Sequence, residues 1–395
     1  MKNITIFEDS HVNNLYPFTM NHSSFEIRCG ALTNLERIKK IFNQTYSINI
    51  HIRKDLCKVI KQKFPEYNLV SEIIPSGFYL NGSVIFDKEL INMIKELELL
   101  YTSNGTLVGM YLKKDKKISE ITKSIMQNNS KHRNQDIKKI NYLWDAINLS
   151  TNLIQYDFDN YFYVKSEPLH KGVSTIGPGS IYIAKNVTID QNVVLDTREG
   201  PIIINEGVHI MSGTIIEGSN FIGKNCIIYP NSIIRPGNSF GPVCRLGGEI
   251  IHSIFHGYSN KSHQGFIGHS FIGSWVNLGA NTNSSNLKNN YNDIKIQFNE
   301  QKIINSQQQF LGVLIGDYTR IAIGTNFNTG TFIGIGANIF NHLFEDKNIQ
   351  PFSWGKDKVV FDDFIRTIQK MKKRRNCKFL KTEIDYLKLL YNLLN

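Results

Sequence analysis

No window of this sequence approaches the ~18 consecutive apolar residues that a membrane-spanning helix needs. The opening MKNITIFEDSHVNN also lacks the apolar run of a signal peptide, which points to a cytoplasmic protein. Cysteine is scarce: Cys29, Cys57, Cys226, Cys244 and Cys377 are odd in number and lack metal-type spacing. A disulfide scaffold and a cysteine metal site are therefore excluded, and the thiols read as reduced. Acid is short too, with 34 Asp and Glu against 45 Lys and Arg, a net charge of +11. That excess suits anionic ligands such as nucleotides, sugar phosphates or coenzyme A; it would suit nucleic acid as well, but no nucleic-acid-binding motif accompanies it. Apolar content of 41% and charged content of 20% are ordinary for a soluble globular protein, and 395 residues leave room for two or three domains.

What the sequence does contain is a period. Ile204, Ile210, Ile216, Ile222, Ile228, Ile234 and Phe240 place a large apolar residue at every sixth position, and Ile315, Ile321, Phe327, Ile333 and Ile339 repeat the step. Neither a helix, with period 3.6, nor an ordinary strand, with period 2, produces it. A coil of three short strands does, each apolar residue pointing from one flat side into a narrow prism. Val208, Thr214, Cys226 and Ser232 suit the corners, as do Gly223 and Gly241. The expected fold is a parallel β-helix. Its coils begin near Ile176, reset at Thr197–Pro201, blur after Phe240 and resume at Ile267. Residues 281–310 form a polar excursion from the coil, and loops that leave a rigid scaffold commonly carry function.

The first 165 residues have another texture. Ile4–Phe7 and Phe78–Leu80 read as strands, Leu32–Phe42 and Asp87–Leu100 as helices, and Asn104-Gly105 as a hairpin turn. Alternating strands and helices predict an α/β layer with ligands at the strand ends. The basic run Lys113–Lys139 reads as surface helix and loop, and Trp144-Asp145 as the start of a connector ending near Pro168. The division is thus 1–165, an α/β domain; 166–350, the coils; and 351–395, a helical tail. In that tail the bases Lys370, Lys372, Lys373, Arg374 and Arg375 read chiefly as a solvated face, with phosphate contact as the alternative.

At 241–291, GPVCRLGGEIIHSIFHGYSNKSHQGFIGHSFIGSWVNLGANTNSSNLKNNY resembles the bifunctional N-acetylglucosamine-1-phosphate uridylyltransferase/glucosamine-1-phosphate acetyltransferase (GlmU) family, in a variant branch of sugar nucleotidyltransferases. Phe7-Glu8-Asp9, Leu15–Thr19, Glu26–Gly30, Leu80-Asn81-Gly82, Trp144-Asp145 and the segment ending at Asp157 fit that branch more diffusely. The resemblance implies a Rossmann-like nucleotidyltransferase-type domain, a left-handed β-helix of hexapeptide repeats and a homotrimer. It also implies acetyl-CoA as cosubstrate and Mg²⁺ for nucleotidyl transfer. His263, in Ser262-His263-Gln264-Gly265-Phe266-Ile267-Gly268, stands where the family has its general base. The chemistry asks for one, since an ammonium must lose a proton before its nitrogen attacks a thioester, and imidazole titrates near neutrality. His252, His256 and His269 lack that placement and read as structural, with a substrate contact left open for the last two.

By the same resemblance Asn277 contacts the sugar phosphate, the Ala280 backbone faces coenzyme A, and Asn286 and Lys288 serve the acceptor. Arg245 and Lys261 are candidate phosphate contacts, because a phosphate wants fixed cations. Phe266 replaces a tyrosine common in relatives. The front domain departs further, lacking the family's G-x-G-T-R-M loop and placing Ser83 where a metal-holding aspartate would fall. Arg28, Asn81 and Gly82 remain for the nucleotide, and Asp9, Asp145 or Asp157 for the metal. Three readings follow: acetyl transfer on the coils with nucleotidyl transfer in front; an acyltransferase with a degenerate front domain; or a non-catalytic β-helix used for assembly.

Overall fold

The computed structural model describes residues 2–42, 46–128, 133–134, 137–162, 166–298, 301–340 and 346–394. The strand Lys2–Phe7, buried from Ile4 onward, takes an interior place in a seven-stranded sheet. It pairs parallel with Tyr46–His51 on one side and Gly77–Asn81 on the other. The hairpin predicted at Asn104-Gly105 joins Leu99–Thr102 to Leu107–Leu112, with Gly105 at φ +84°, a conformation glycine reaches without strain. Helices α1 (Asn34–Phe42), α2 (Cys57–Lys63) and α3 (Lys88–Leu97) alternate with the strands. The Asp87 carboxylate caps α3 by accepting the Leu90 N–H, and α3 stops at Leu97 because Leu99 joins the sheet. Within the basic run, α4 (Ile118–Asn128) is a helix, but Lys139 is buried rather than on the surface.

Trp144-Asp145 opens no connector. It lies in the first turn of α5 (Leu143–Asp157), where Asp145 accepts the N–H groups of Asn141 and Tyr142 at 2.8 and 3.0 Å. Leu143, Ala146, Ile147, Ser150, Leu153, Ile154 and Asp157 bury one face of that helix, a helical spacing that the linker reading passed over.

Behind this layer the chain forms a three-sided prism with sheets of six, nine and ten strands. Pairing is parallel except where Ser353–Trp354 meets Asp357–Lys358. Every residue of both six-step ladders is buried. The corners turn one residue earlier than expected. Gly207, Gly213, Asn225 and Asn231 hold positive φ, and Val208, Thr214, Cys226 and Ser232 then point inward. Gly241 is needed for closeness rather than turning, since a Cβ there would lie 1.9 Å from the His256 carbonyl oxygen. Among the described residues no helix is long and apolar enough to cross a membrane.

The nine-stranded face is covered by the front domain. Its outward residues Ile254, Phe271, Leu314 and Phe332 share one core with Ile4, Phe18, Leu80 and Trp144. The polar excursion is shorter than 281–310, because Asn283 and Ser284 still pair with Asn326 and Phe327 in the next coil. It carries a hairpin, Lys295–Gln297 with Ile303–Asn305, and it is not free. Ile294, Ile296 and Phe298 bury into that shared core, with the Phe298 ring 6.5 Å from Trp144. Finally, α6 (Phe361–Lys373) and α7 (Lys381–Leu393) fold back as a hairpin. Phe364 packs on Phe352 and Tyr318, and the Tyr386 hydroxyl donates to the Met20 carbonyl at 2.9 Å.

Candidate active site

On the ten-stranded face the outward residues of successive coils stand in register: Ile227, Arg245, Asn260, Asn277 and Arg320. The corner that follows Asn260 carries Ser262 and His263. Together they border a groove of about 450 Å³ lined by Arg245, Asn260, His263, Asn277, Ala280 and Arg375. The His263 side chain is exposed there. Asn260 donates through Nδ2 to the Asn277 Oδ1 at 3.2 Å. On the opposite wall the Gly279 N–H is taken by Ile321 and the Asn281 N–H by Gln264; the Ala280 N–H between them has no partner among the described residues.

Lys261 is placed differently from a phosphate contact. It sits beside Leu246 on an inward rung, 1% exposed, and its ammonium donates to the carbonyls of His263 at 2.6 Å and Gly247 at 3.3 Å. It therefore fixes the corner that presents His263. Burial pushes its pKa down to about 8. The unfolded chain, titrating near about 10.4, then binds more protons between the two values, so this group's contribution to stability rises with pH across that window. Between pH 8 and 10 the thermal midpoint of the wild type should accordingly rise relative to that of Lys261→Met. A pH-independent difference would contradict a buried ammonium.

Asn286 and Lys288 lie off this groove. Asn286 hydrogen-bonds His269 at 2.9 Å, and the Lys288 ammonium bonds the Asp293 carbonyl. His269 is stacked between His252 and Phe310, and burial, then repulsion from His252, pushes its pKa down to about 4. His256 is packed against His22 and Phe18, with burial, then His22, holding it well below the usual histidine range. Neither borders the His263 groove.

In the front domain the strand ends bring Asp9 and Asn81 together. Asn81 Nδ2 donates to Asp9 at 2.8 Å and Lys139 Nζ lies 3.3 Å from the same carboxylate. Burial opposes ionisation of Asp9, but Lys139 and Asn81 outweigh it and hold the carboxyl below its ordinary value. Gly82 is packed under Ser24 and Phe25, and Ser83 bonds Asn81. Arg28 is turned away, its guanidinium 5.4 Å over the Phe221 ring of the prism. The other two metal candidates have structural partners. Asp145 is the α5 cap, and Asp157 is fully buried in an ion pair with Arg37. That leaves Asp9 as the one candidate carboxylate that, with substrate phosphates and water, would hold Mg²⁺ here, and it already has the Lys139 ammonium 3.3 Å away.

A larger cavity of about 540 Å³ lies where front domain, prism and tail meet. Its charged walls are mostly paired among themselves, Lys63 with Glu26, His22 with Asp317, and Lys372 with Glu383.

A Rossmann-like domain thus precedes a β-helix that carries a histidine at a groove mouth. The sugar nucleotidyl transferase family model matches residues 4–162. The chain is 22% identical over 382 residues to the bifunctional protein GlmU of Bartonella quintana, covering 86% of this chain and 77% of that one. It is 29% identical over 205 residues, half of each chain, to the bifunctional sugar-1-phosphate nucleotidylyltransferase/acetyltransferase of Sulfurisphaera tokodaii. With the GlmU of Methanococcus vannielii the identity is 26% over 294 residues, 70% of this chain and 66% of the relative. The chain is a transferase of GlmU-like layout, with a domain matched by the sugar nucleotidyl transferase model in front of a parallel β-helix.

Proposed function

We propose that this chain transfers an acetyl group from acetyl-CoA to the amine of an amino-sugar phosphate, of the glucosamine-1-phosphate kind, in the His263 groove. The observation that carries the reading is an exposed histidine on a rigid corner, beside a column of arginine and asparagine side chains and opposite an unpartnered backbone N–H. His263 takes the ammonium proton; the amine then attacks the thioester carbonyl, forming a carbon–nitrogen bond. Asn277 orients the acceptor, and the Ala280 N–H is the donor at hand for coenzyme A or the oxyanion. As the carbon–sulfur bond breaks, the thiolate leaves and is protonated by the imidazolium, and the second proton shed by the attacking nitrogen passes to solvent. Acetyl-CoA-dependent thiol release with an amino-sugar phosphate tests this directly, and no release across a panel of such acceptors would refute it.

The match over residues 4–162 favours a second activity, nucleotidyl transfer from UTP or another nucleoside triphosphate to the sugar 1-phosphate at the Asp9–Asn81 edge. Lys139 would there meet phosphate oxygens. Pyrophosphate release from triphosphate and sugar 1-phosphate, with and without Mg²⁺, is the assay. Its absence alongside active acyl transfer would make the front domain structural. Asn286 and Lys288 favour a homotrimer, since they lie off their own groove. The six-stranded face between them and His263 exposes Ile215 and Ile233, 38% and 41% accessible. Light scattering should give three times the 45.3 kDa chain mass, and a monomer at micromolar concentration would overturn it. The proposed cosubstrates favour a cytoplasmic setting.

A further inference from the structure

The basic run at the end of α6 divides by environment. Lys370 and Lys373 are exposed, whereas Lys372 is buried and held by Glu383 at 2.6 Å. Arg374 and Arg375, in the turn towards α7, border the His263 groove with Arg245. Arg375 Nη2 donates to Asn260 Oδ1 at 2.8 Å, and Asn260 in turn donates to Asn277. A hydrogen-bonded chain thus runs from the tail to the groove. Arg245 is anchored by its Nη1 on the carbonyls of Asn225 at 3.0 Å and Cys244 at 3.4 Å.

Among the described residues no carboxylate forms an ion pair with any of these three arginines, and none borders the groove. Elsewhere in the tail the charges are matched, Arg366 with Asp363 and Lys372 with Glu383. Burial, and after it repulsion from Arg245 and Arg374, holds the Arg375 guanidinium below its usual range. Cations left to repel one another in a half-enclosed site are relieved by an anion, and a guanidinium fork matches phosphate oxygens. The turn is held in place independently of any ligand, by Phe364 on Phe352 and by the Lys372–Glu383 pair.

We propose that the turn between the two C-terminal helices is the phosphate-holding wall of the acyl-transfer groove, with Arg374 and Arg375 acting beside Arg245 to select acceptors that carry a phosphoryl group. The proposal rests on the acyl-transfer reading of His263, and it makes the tail part of the site rather than an appendage. The phosphoryl group is the acceptor's, because Asn260 links Arg375 to Asn277, the side chain placed on the acceptor.

The test uses the full-length chain with Arg374→Ala and Arg375→Ala combined, both in the turn and outside the buried faces of α6 and α7. With glucosamine 1-phosphate and acetyl-CoA, the acceptor KM should rise about 10- to 100-fold, far more than kcat falls. The advantage of glucosamine 1-phosphate over free glucosamine should shrink by the same factor, and Arg375→Lys should restore part of it. A rise in the acetyl-CoA KM with the acceptor KM unmoved would overturn the proposal, assigning the arginines to the coenzyme's phosphates. Calorimetric titration with glucosamine 1-phosphate, without acetyl-CoA, separates this from the acyl-transfer reading. Wild type and His263→Ala should both bind and the double-arginine variant should bind at least 10-fold more weakly. Equal binding by wild type and the double-arginine variant would sink the idea, even if acyl transfer itself is found.

Discussion

His263→Ala should lower kcat for acetyl transfer by roughly 10²–10⁴-fold, the range that a positioned general base supplies. The thermal midpoint should hardly move, because an exposed corner side chain packs no core. Coenzyme A affinity should hold as well, since the wall proposed to face it, at Gly279–Ala280, is fixed by backbone bonds involving Ile321, Gln264 and Gly324. Asn277→Ala should behave otherwise, raising the acceptor KM a few-fold to about 10-fold with a smaller change in kcat, as expected for a lost hydrogen bond. Steady-state kinetics on one substrate pair separates the two. Near-wild-type turnover in the His263 variant would remove it as the base, and none of His252, His256 and His269 borders the groove to replace it.

The largest effect on stability should come from Asp157→Ala. Asp157 and Arg37 are both 0% exposed, joined through both carboxylate oxygens, and Asp157 also accepts the Ala31 N–H at 2.9 Å. Removing one partner strands a buried charge, which destabilises by about 3–5 kcal/mol, whereas replacing both by apolar residues of similar volume is often neutral. Denaturant titration should therefore show a large loss for Asp157→Ala and recovery in Arg37→Met/Asp157→Leu. Were Asp157 a metal ligand, Asp157→Asn would instead shift the Mg²⁺ dependence of nucleotidyl transfer with little loss of stability.

The prism was legible because its inward rungs obey one rule: Ile204 to Phe240 never break step. The blur after Phe240 has a physical cause. The register advances eighteen residues from Ile227 to Arg245, but fifteen from Arg245 to Asn260 and seventeen from there to Asn277. A lysine, Lys261, also stands where the ladder wants an apolar residue, because its ammonium is needed on the His263 carbonyl. His263 and Asn277 were visible through a motif. Asn260 was not, although reading the outward column one coil back from Asn277 reaches it. Arg374 and Arg375 read chiefly as a solvated face with phosphate contact as the alternative, since their place depends on how α6 and α7 fold back. The hairpin after Asp293 was hidden by its polar surroundings; Ile294, Ile296 and Phe298 alternate as a strand does, too briefly to stand out.

Most solenoids can fray, because each repeat touches only its neighbours and the end coils open first. Here the excursion, the front domain and the tail are seamed into the nine-stranded side of the prism by one continuous core that runs from Ile4 to Leu390. His22, close to the start of the chain, is bonded at 2.8 Å to Asp317, five coils along the prism from Ile204 by the register. Opening the coils on that side means tearing the α/β layer as well, so the coils from Ile254 to Phe332 melt together with the front domain, as one cooperative block rather than a zipper. The first coils, where Ile176 and Leu169 stand exposed, lie outside that core and meet the front domain through a smaller cluster around Tyr182, Ile203 and Phe221, so they have the most freedom to breathe.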